Sequence, residues 1–481
     1  MAQRNVPAST VTGLLGPWTL SGGPAYKALA DGLRLLIADG RIPPGARLPS
    51  ERDLTDALGV SRTTIASAYA ELRDRGYLTS RRGSGSVASV PVYGVGPDLG
   101  VHHAPGVDSA GLYDFTCAAS AAVCGISSAV AEAADELPVH LATPGYHPQG
   151  IVALREAIAE RYTDRGLPTS PDQIVVTAGA LAATSVVVRA MTSIGDRVLT
   201  ESPTHPNSID TIRRSGTRIV AAPMSPGGWD LPLLEATIRQ TSPRASWMVL
   251  DFQNPTGHLM PPEDRERLAA ALSRARTTAI VDESLVELSL DVDEADMPAP
   301  FASYQPRDVI SIGGVSKSFW GGLRIGWLRA PESLVPRILD ARASMDLGAP
   351  VLEQLVVTRL LRDRAAILAD RRADLSARRS ALVAAVREHL PDWRFDVPPG
   401  GLSLWCELPA PVGAALVGLA ERHGVLLMAG SRFSPDHGLD RFVRLPYTIE
   451  PRDLTEGVRR IALAYDQLRG TSSPRKGAMI A

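Results

Sequence analysis

Cysteine is scarce in this chain of 481 residues: Cys117, Cys124 and Cys406 are too few and too scattered for a disulfide frame or a zinc site. A reducing interior with cysteines as small core filler is the expectation. Long apolar runs are missing as well. None approaches the ~18 residues of a membrane span, and the opening "MAQRNVPASTVTG" lacks the apolar core of a signal peptide. The expected compartment is therefore the cytoplasm, with no membrane partner and no resident metal. Neither sign of charge dominates: 50 Lys and Arg face 52 Asp and Glu, a formal net charge of -2. The balance says nothing for or against nucleic acid, and only a local basic patch can speak to it.

What is present is the composition of a globular protein, 44% hydrophobic and 21% charged. The length suits two or three domains of roughly 100 to 200 residues. Residues 89–111 sit in a Gly- and Pro-rich stretch without period, "VASVPVYGVGPDLGVHHAPGVDSAG", and read as a linker. They separate a small domain over 20–88 from a large one over 112–470. The first 20 or so residues and the tail 471–481 carry no periodicity and are expected to lack structure.

In the small domain, Tyr26, Leu29, Ala30, Leu33, Leu36 and Ile37 recur at helical spacing, and the helix stops at Gly40. Ser50 with Asp53 three residues on signals the start of a second helix that ends near Leu58. Gly59 supplies a tight turn and Ser61 caps a third helix, whose buried stripe is Ile65, Tyr69 and Leu72. That stripe leaves Arg62, Thr63 and Thr64 on an exposed first turn, where helix-turn-helix proteins present base-reading residues. "YLTSRRGSGSVAS" reads as a hairpin wing with Arg81 and Arg82 at its tip. Between residues 24 and 86 there are ten Lys or Arg and seven Asp or Glu, so spacing rather than charge carries the reading. A helical partner-binding module is the plainer alternative.

The large domain alternates short β-branched runs ("QIVVTAG", "RVLTES", "TRIVAAP", "SWMVLDF", "TAIVDES", "DVISIGG") with helix-like stretches, which implies crossovers and a mostly parallel sheet. Lys317 stands in "GGVSKSFWGGLRIGW". A lone lysine is usually a solvated one, so the chemistry rests on what else the strand ends supply. Pyridoxal phosphate needs an acid at the ring nitrogen, a donor to the ring hydroxyl, a flat group on the ring and an anion cradle. Asp282 ends an apolar strand, and Asn254 follows another in "DFQNPTG". "VTAGALAATSVVVRAM" is strand, small-residue turn and helix, aiming the amides of Gly179 and Ala180 at a phosphate, with Ser316 and Arg324 to complete the grip. The same small-residue start also suits close packing.

Two resemblances bear on these residues. "GARLPSERDLTDALGVSRTTIASAYAELRDRGYLTSRRGSGS" resembles the winged helix of GntR regulators over some forty residues. That likeness implies DNA contacts from Arg52, Ser61, Arg62, Thr63, Thr64, Arg82 and Gly83. "YHPQGIVALREAIAERY", "SPTHPNS", "NPTG", "VDES", "VSKSFWGGLRIGW" and "VRLPY" resemble, in order, the motifs of fold type I aminotransferases. The fold implied is an α/β pyridoxal-phosphate-dependent transferase with a mostly parallel sheet and a smaller α+β C-terminal subdomain. The likeness makes Lys317 the Schiff-base lysine and Asp282 the partner of the ring nitrogen. It sets Asn254 on the ring hydroxyl, His205 on the ring face, and Gly179, Ala180, Ser316 and Arg324 on the phosphate. Arg444 would take a substrate carboxylate, and Tyr146 would reach the partner subunit's site, which implies a homodimer.

Two positions depart from that pattern. Ser284 and Leu285 stand where the family carries a tyrosine, and His205 occupies a stacking position usually held by a larger aromatic ring. A histidine there is expected to change charge near neutral pH. Together the two halves resemble the MocR subfamily of GntR regulators. The resemblance implies a head-to-tail, domain-swapped homodimer that binds operator DNA and senses pyridoxal 5'-phosphate, or an amino acid or amine effector, by aldimine chemistry at Lys317. The alternatives are a working aminotransferase with an accessory DNA-binding domain, and a repressor whose large domain only dimerises.

Overall fold

The computed structural model describes residues 5–15, 18, 24–38, 41–43, 45–81, 85–89, 112–436 and 438–471. Two compact units are distinguished: residues 1–100 with 123–135, and residues 101–122 with 136–481. The expected linker, from residue 90 on, and the tail after Thr471 lie outside the described residues, as do Arg82 and Gly83.

The first unit opens with α1 (Ala8–Leu15), followed by α2 (Ala25–Ala38), α3 (Glu51–Leu58) and α4 (Arg62–Asp74); the hairpin β1 (Leu78–Arg81) and β2 (Gly85–Ala88) closes it. The first helix corrects the expectation that residues before 20 lack structure. One residue decides it: Val11 is fully buried against the other helices. The remaining starts and stops follow local rules. Ser50 and Ser61 each accept a hydrogen bond from the amide three residues on, Asp53 at 3.2 Å and Thr64 at 3.1 Å. Gly59 takes a left-handed conformation, φ 66°, whose cost only glycine avoids, and ends α3 in one residue. Leu29, Leu33, Ile37, Leu54, Ile65 and Leu72 are buried together, each stabilising the unit by roughly 1.5–3 kcal/mol relative to exposure. Tyr69 joins them and donates its hydroxyl to Pro49 O at 2.9 Å.

In the second unit, β3 (Tyr113–Asp114), α5 (Ile126–Glu136, mostly grouped with the first unit), α6 (Val152–Asp164), β4 (Ile174–Thr177), α7 (Ala180–Met191), β5 (Arg197–Ser202), α8 (Pro206–Arg214), β6 (Arg218–Ser225), β7 (Gly228–Trp229), α9 (Leu231–Thr241), β8 (Ala245–Met248), α10 (Pro262–Ala275), β9 (Thr278–Asp282), β10 (Val309–Gly314) and β11 (Gly326–Arg329) come first. They build an eight-stranded sheet in the order β4-β11-β10-β9-β8-β5-β6-β7. Neighbours from β10 to β6 are parallel, while β11 runs antiparallel to both β10 and β4. The strands read from sequence are all present. "GWLR", which reads only as the end of a glycine-rich turn, is the additional strand β11.

That insertion explains the glycines beside Lys317. Gly313 pairs with Trp327 across β10 and β11, and a Cβ there would meet the indole ring at 2.3 Å. A Cβ on Gly326 would meet the Ala180 nitrogen at 2.5 Å, so only glycine lets β11 lie against the start of α7. Buried β-branched and aromatic residues such as Val175, Val198, Trp247, Ile280 and Ile310 fill the sheet, as expected for strands covered on both faces.

The chain continues through α11 (Val335–Ala343), α12 (Val351–Arg362) and the long α13 (Arg364–His389). A smaller α+β part follows, with β12 (Ser403–Glu407), α14 (Gly413–Arg422), β13 (Val425–Leu426), β14 (Met428–Ala429), β15 (Phe442–Pro446) and α15 (Pro451–Thr471). Its sheet order is β12-β15-β14, and β13 pairs in parallel with β3. Cys406 is core filler here as expected, whereas Cys117 is half-buried and Cys124 exposed.

Candidate functional site

The strands β4, β5, β8, β9 and β10 point the same way, so their C-terminal ends share one edge of the sheet. In open α/β sheets ligands bind outside that edge. A cavity of about 220 Å³ lies there, lined by Ala180, His205, Asn254, Asp282, Ser316, Lys317 and Arg324 among others. Seven of the residues singled out from sequence, spread over 145 positions, therefore meet in one place. Sequence reasoning missed Thr184, Asn207 and Ser208 in the lining; each is one helical turn or less from a residue it had found.

Lys317 donates to Ala118 O at 2.9 Å, across the cavity wall from the segment that also holds Cys117. Burial lowers its ammonium below the ordinary lysine range; Arg444 and Arg324 push the same way, while Cys117 and Asp282 oppose them. Asp282, the last residue of β9, accepts the Ser284 amide at 2.9 Å. Burial raises its carboxyl above the usual carboxylate range, which marks a site where a cationic partner would be stabilising.

His205 immediately precedes α8 without capping it through its side chain, and its Nδ1 lies 3.0 Å from Ser208 Oγ. Its expected titration near neutrality does not occur. Burial, with Lys317 and Arg444 close by, holds its pKa down at about 3, so the ring is neutral at physiological pH. Charge environment, invisible in the sequence, overrides the intrinsic value.

The anion-cradle expectation is altered at one residue. Gly179, at φ 92°, does not line the cavity, and its amide is taken by Thr177 O at 2.9 Å. The free donors of a helix start belong to its first turn, which here begins at Ala180. What Gly179 supplies is room: a Cβ would meet Arg324 Nη2 at 2.8 Å. Arg324 adopts φ 50° and donates to Ala178 O at 3.1 Å, beside the α7 start.

Arg444 and Tyr146 are outside the cavity lining. Arg444 sits on β15 and is 4% exposed, with its guanidinium 5.0 Å from the Phe433 ring centroid, Nη2 on Thr116 O and Nη1 3.4 Å from Asn254 Oδ1. Its Nε is buried without a hydrogen-bond partner, and burial lowers its pKa to about 10. Tyr146 is 67% exposed.

In the first unit, Arg52, Ser61, Arg62 and Thr63 are exposed and Thr64 half-buried. The Ser61 hydroxyl is engaged by the Thr64 amide and lies 2.7 and 2.8 Å from the Thr63 and Thr64 hydroxyls. Its visible task is to hold the first turn of α4.

Fold and cavity together define a fold type I aminotransferase unit joined to a winged helix-turn-helix. Residues 124–461 match the aminotransferase class I and II family, and the chain belongs to it; residues 25–87 match the GntR family of bacterial regulatory proteins. This pairing is the architecture of the MocR subfamily. The probable rhizopine catabolism regulatory protein MocR of Rhizobium meliloti is 28% identical over 94% of this chain and 98% of its own. YdcR of Escherichia coli, named as an uncharacterised HTH-type transcriptional regulator, is 29% identical over 87% of this chain and 94% of its own. Among solved structures, LysN of Thermus thermophilus, an alpha-aminoadipate aminotransferase complexed with N-(5'-phosphopyridoxyl)-L-leucine, superposes with a TM-score of 0.68 at 27% identity, covering 75% of this chain and 93% of that one. Among the described residues, no helix is long and apolar enough to cross a membrane.

Proposed function

We propose that this chain is a transcriptional regulator that binds operator DNA through its winged helix and responds to pyridoxal 5'-phosphate, to an amino acid or amine effector, or to both, in its aminotransferase unit. The observation that carries the reading is the cavity where Lys317, Asp282, Asn254, His205, Ser316 and Arg324 converge, in a chain that also holds a GntR-type winged helix. A dimerisation scaffold has no use for a half-buried acid and a half-buried amine in one cavity.

The residues fit the cofactor. Asp282 is a half-buried carboxyl, raised above the usual carboxylate range by desolvation, that a pyridinium nitrogen would stabilise in its charged form. Neutral His205 offers a flat face, Asn254 an amide, and Ala180, Ser316 and Arg324 a phosphate grip at the start of α7. Lys317, its pKa lowered by burial, is the amine for covalent attachment. Bound there, pyridoxal phosphate supplies an aldehyde carbon open to amines and a ring that withdraws electrons. Arg444, with a buried Nε still lacking an acceptor, receives the effector's carboxylate. Ser284 stands where the family has a tyrosine, which favours holding an effector over turning it over quickly.

We further infer a homodimer. Val139, Leu141 and Tyr146 are 75%, 71% and 67% exposed within one short segment, an apolar face of the kind partners cover. Regulation then requires that the effector-bound and effector-free states prefer different arrangements of the two DNA-binding units.

The test is a spectral titration of the purified chain with pyridoxal phosphate and candidate amines, run beside binding to operator duplexes selected from a random pool. The expected result is a visible absorption band on adding cofactor, a shift of that band with one class of amine, and a parallel change in operator affinity. No band and no change would leave only a scaffold. Fast turnover of amino and keto acids would make the chain an enzyme with an accessory DNA-binding unit.

A further inference from the structure

The far edge of the large sheet, away from Lys317, carries an arrangement that the reading above does not use. Arg218 begins β6 and Arg197 begins β5, directly paired in register. Arg244 precedes β8, its amide bonded to Arg197 O at 2.8 Å, and Arg276 ends α10 just before β9. Four neighbouring strands thus each present an arginine at the same end. All four are exposed and line one open cleft of about 390 Å³, with Asp196 its single acid.

Asp196 turns one carboxylate oxygen to the Ser193 amide at 2.8 Å. None of the four arginines forms an ion pair among the described residues, and only Arg197 has a side-chain hydrogen bond, from Nη1 to Thr241 O at 3.0 Å. Like charges placed opposite each other on paired strands repel. Folding therefore gains nothing from setting Arg197 against Arg218 with Arg244 alongside, whereas an anion laid along the row would offset the repulsion. Strand spacing of ~4.8 Å sets the row's length at about 14 Å. A single small anion covers only part of that. One strand of duplex DNA, with a phosphate every ~3.4 Å of axis, matches it along several successive charges.

We propose that this arginine row binds the phosphate backbone of duplex DNA, giving the aminotransferase unit its own sequence-independent hold on the nucleic acid. The choice of polyanion rests on the reading of the chain as a DNA-binding regulator. Unlike the winged helix, the row offers no helix or wing to enter a groove: its arginines sit at or just before the starts of neighbouring strands, with Arg197 and Arg218 paired in register.

The experiment compares three full-length proteins: wild type, the triple variant Arg197→Gln, Arg218→Gln, Arg244→Gln, and the winged-helix variant Arg52→Ala, Arg62→Ala. Each binds a duplex of arbitrary sequence, about 60 base pairs long, across about 50–300 mM salt, read by fluorescence anisotropy. The triple variant is expected to bind roughly tenfold more weakly at about 0.1 M salt, with a slope of log affinity against log salt smaller by about 2 to 3, at ~0.9 per phosphate lost. Its thermal unfolding and cofactor spectrum should match the wild type, since all three side chains are exposed. Unchanged affinity and slope in the triple variant would overturn the row while leaving the winged-helix reading intact. Loss in the triple variant with none in Arg52→Ala, Arg62→Ala would support the row and count against the winged helix. If the triple variant loses binding of inorganic phosphate while its duplex affinity and salt slope stay at the wild-type values, the cleft is a small-anion site and the proposal fails. A wild type that binds no duplex sinks both readings.

Discussion

The winged helix and the cofactor-type cavity are built by opposite means. In the first unit, the features that present Arg62 and Thr63 are local: Ser50 and Ser61 each secure a helix start by bonding an amide three residues on, and Gly59 turns the chain between them. In the second, Ala180, His205, Asn254, Asp282 and Lys317 come from five different strand ends, and none has another as a sequence neighbour. The first unit is thus specified by short-range hydrogen bonds, and the second by the order and direction of strands. The former should tolerate changes in the latter, and the reverse.

The comparison breaks most sharply at Lys317. Lys317→Ala is expected to abolish labelling of the chain by pyridoxal phosphate followed by borohydride reduction, with the thermal unfolding of the first unit unaltered. A label of undiminished yield in the variant, found by peptide mass analysis, removes Lys317 from its role.

A reciprocal change is Arg62→Ala, which should weaken operator binding by about 1–3 kcal/mol if the side chain reads a base. If it meets only phosphate, the salt slope should fall by roughly one instead. The cofactor spectrum should stay the same in either case. An operator affinity that does not move would take Arg62 out of the interface.

Acid stability separates the units further. The pKa of His205 is depressed to about 3 from an ordinary 6.5, so its contribution is present above 6.5 and is lost as pH falls toward 3. At about pH 5 the second unit should be less stable by about 1–2 kcal/mol than at pH 7 through this residue alone. Urea unfolding of His205→Phe should lack that part of the pH dependence; an identical acid profile in the variant would show that the ring is not held neutral.

The smallest effect belongs to the cap. Ser61→Ala should cost about 1 kcal/mol in unfolding of the first unit, with cofactor binding untouched. Amide exchange confined to the first turn of α4 is the sharpest check, because the serine's bonds reach no further than Thr64.

Legibility followed the same division. Helices α2, α3 and α4, the Ser50, Gly59 and Ser61 signals and the two hairpin strands can be read residue by residue, since each signal and its consequence lie within four positions; the stop expected at Gly40 lies outside the described residues. Helix α1 escapes because a single buried residue, Val11, carries it within the polar, small-residue run "PASTVTG". In the large unit the strands were visible as β-branched runs and Asp282 as a strand-end acid. The strand β11 was not, since "GWLR" becomes a strand only between β10 and β4.

For the site itself, composition and motif order named the side chains, and the sheet decided what each one does. Residue chemistry alone supplied an amine, an acid, an amide and an arginine in the right order along the chain. Only the tertiary structure could keep His205 neutral, take the Gly179 amide for Thr177, and leave Arg444 buried with a free donor, because burial and nearby charge depend on residues far away in sequence. The arginine row is the extreme case: Arg197, Arg218, Arg244 and Arg276 are unremarked in the sequence and become neighbours only because parallel strands start at one edge.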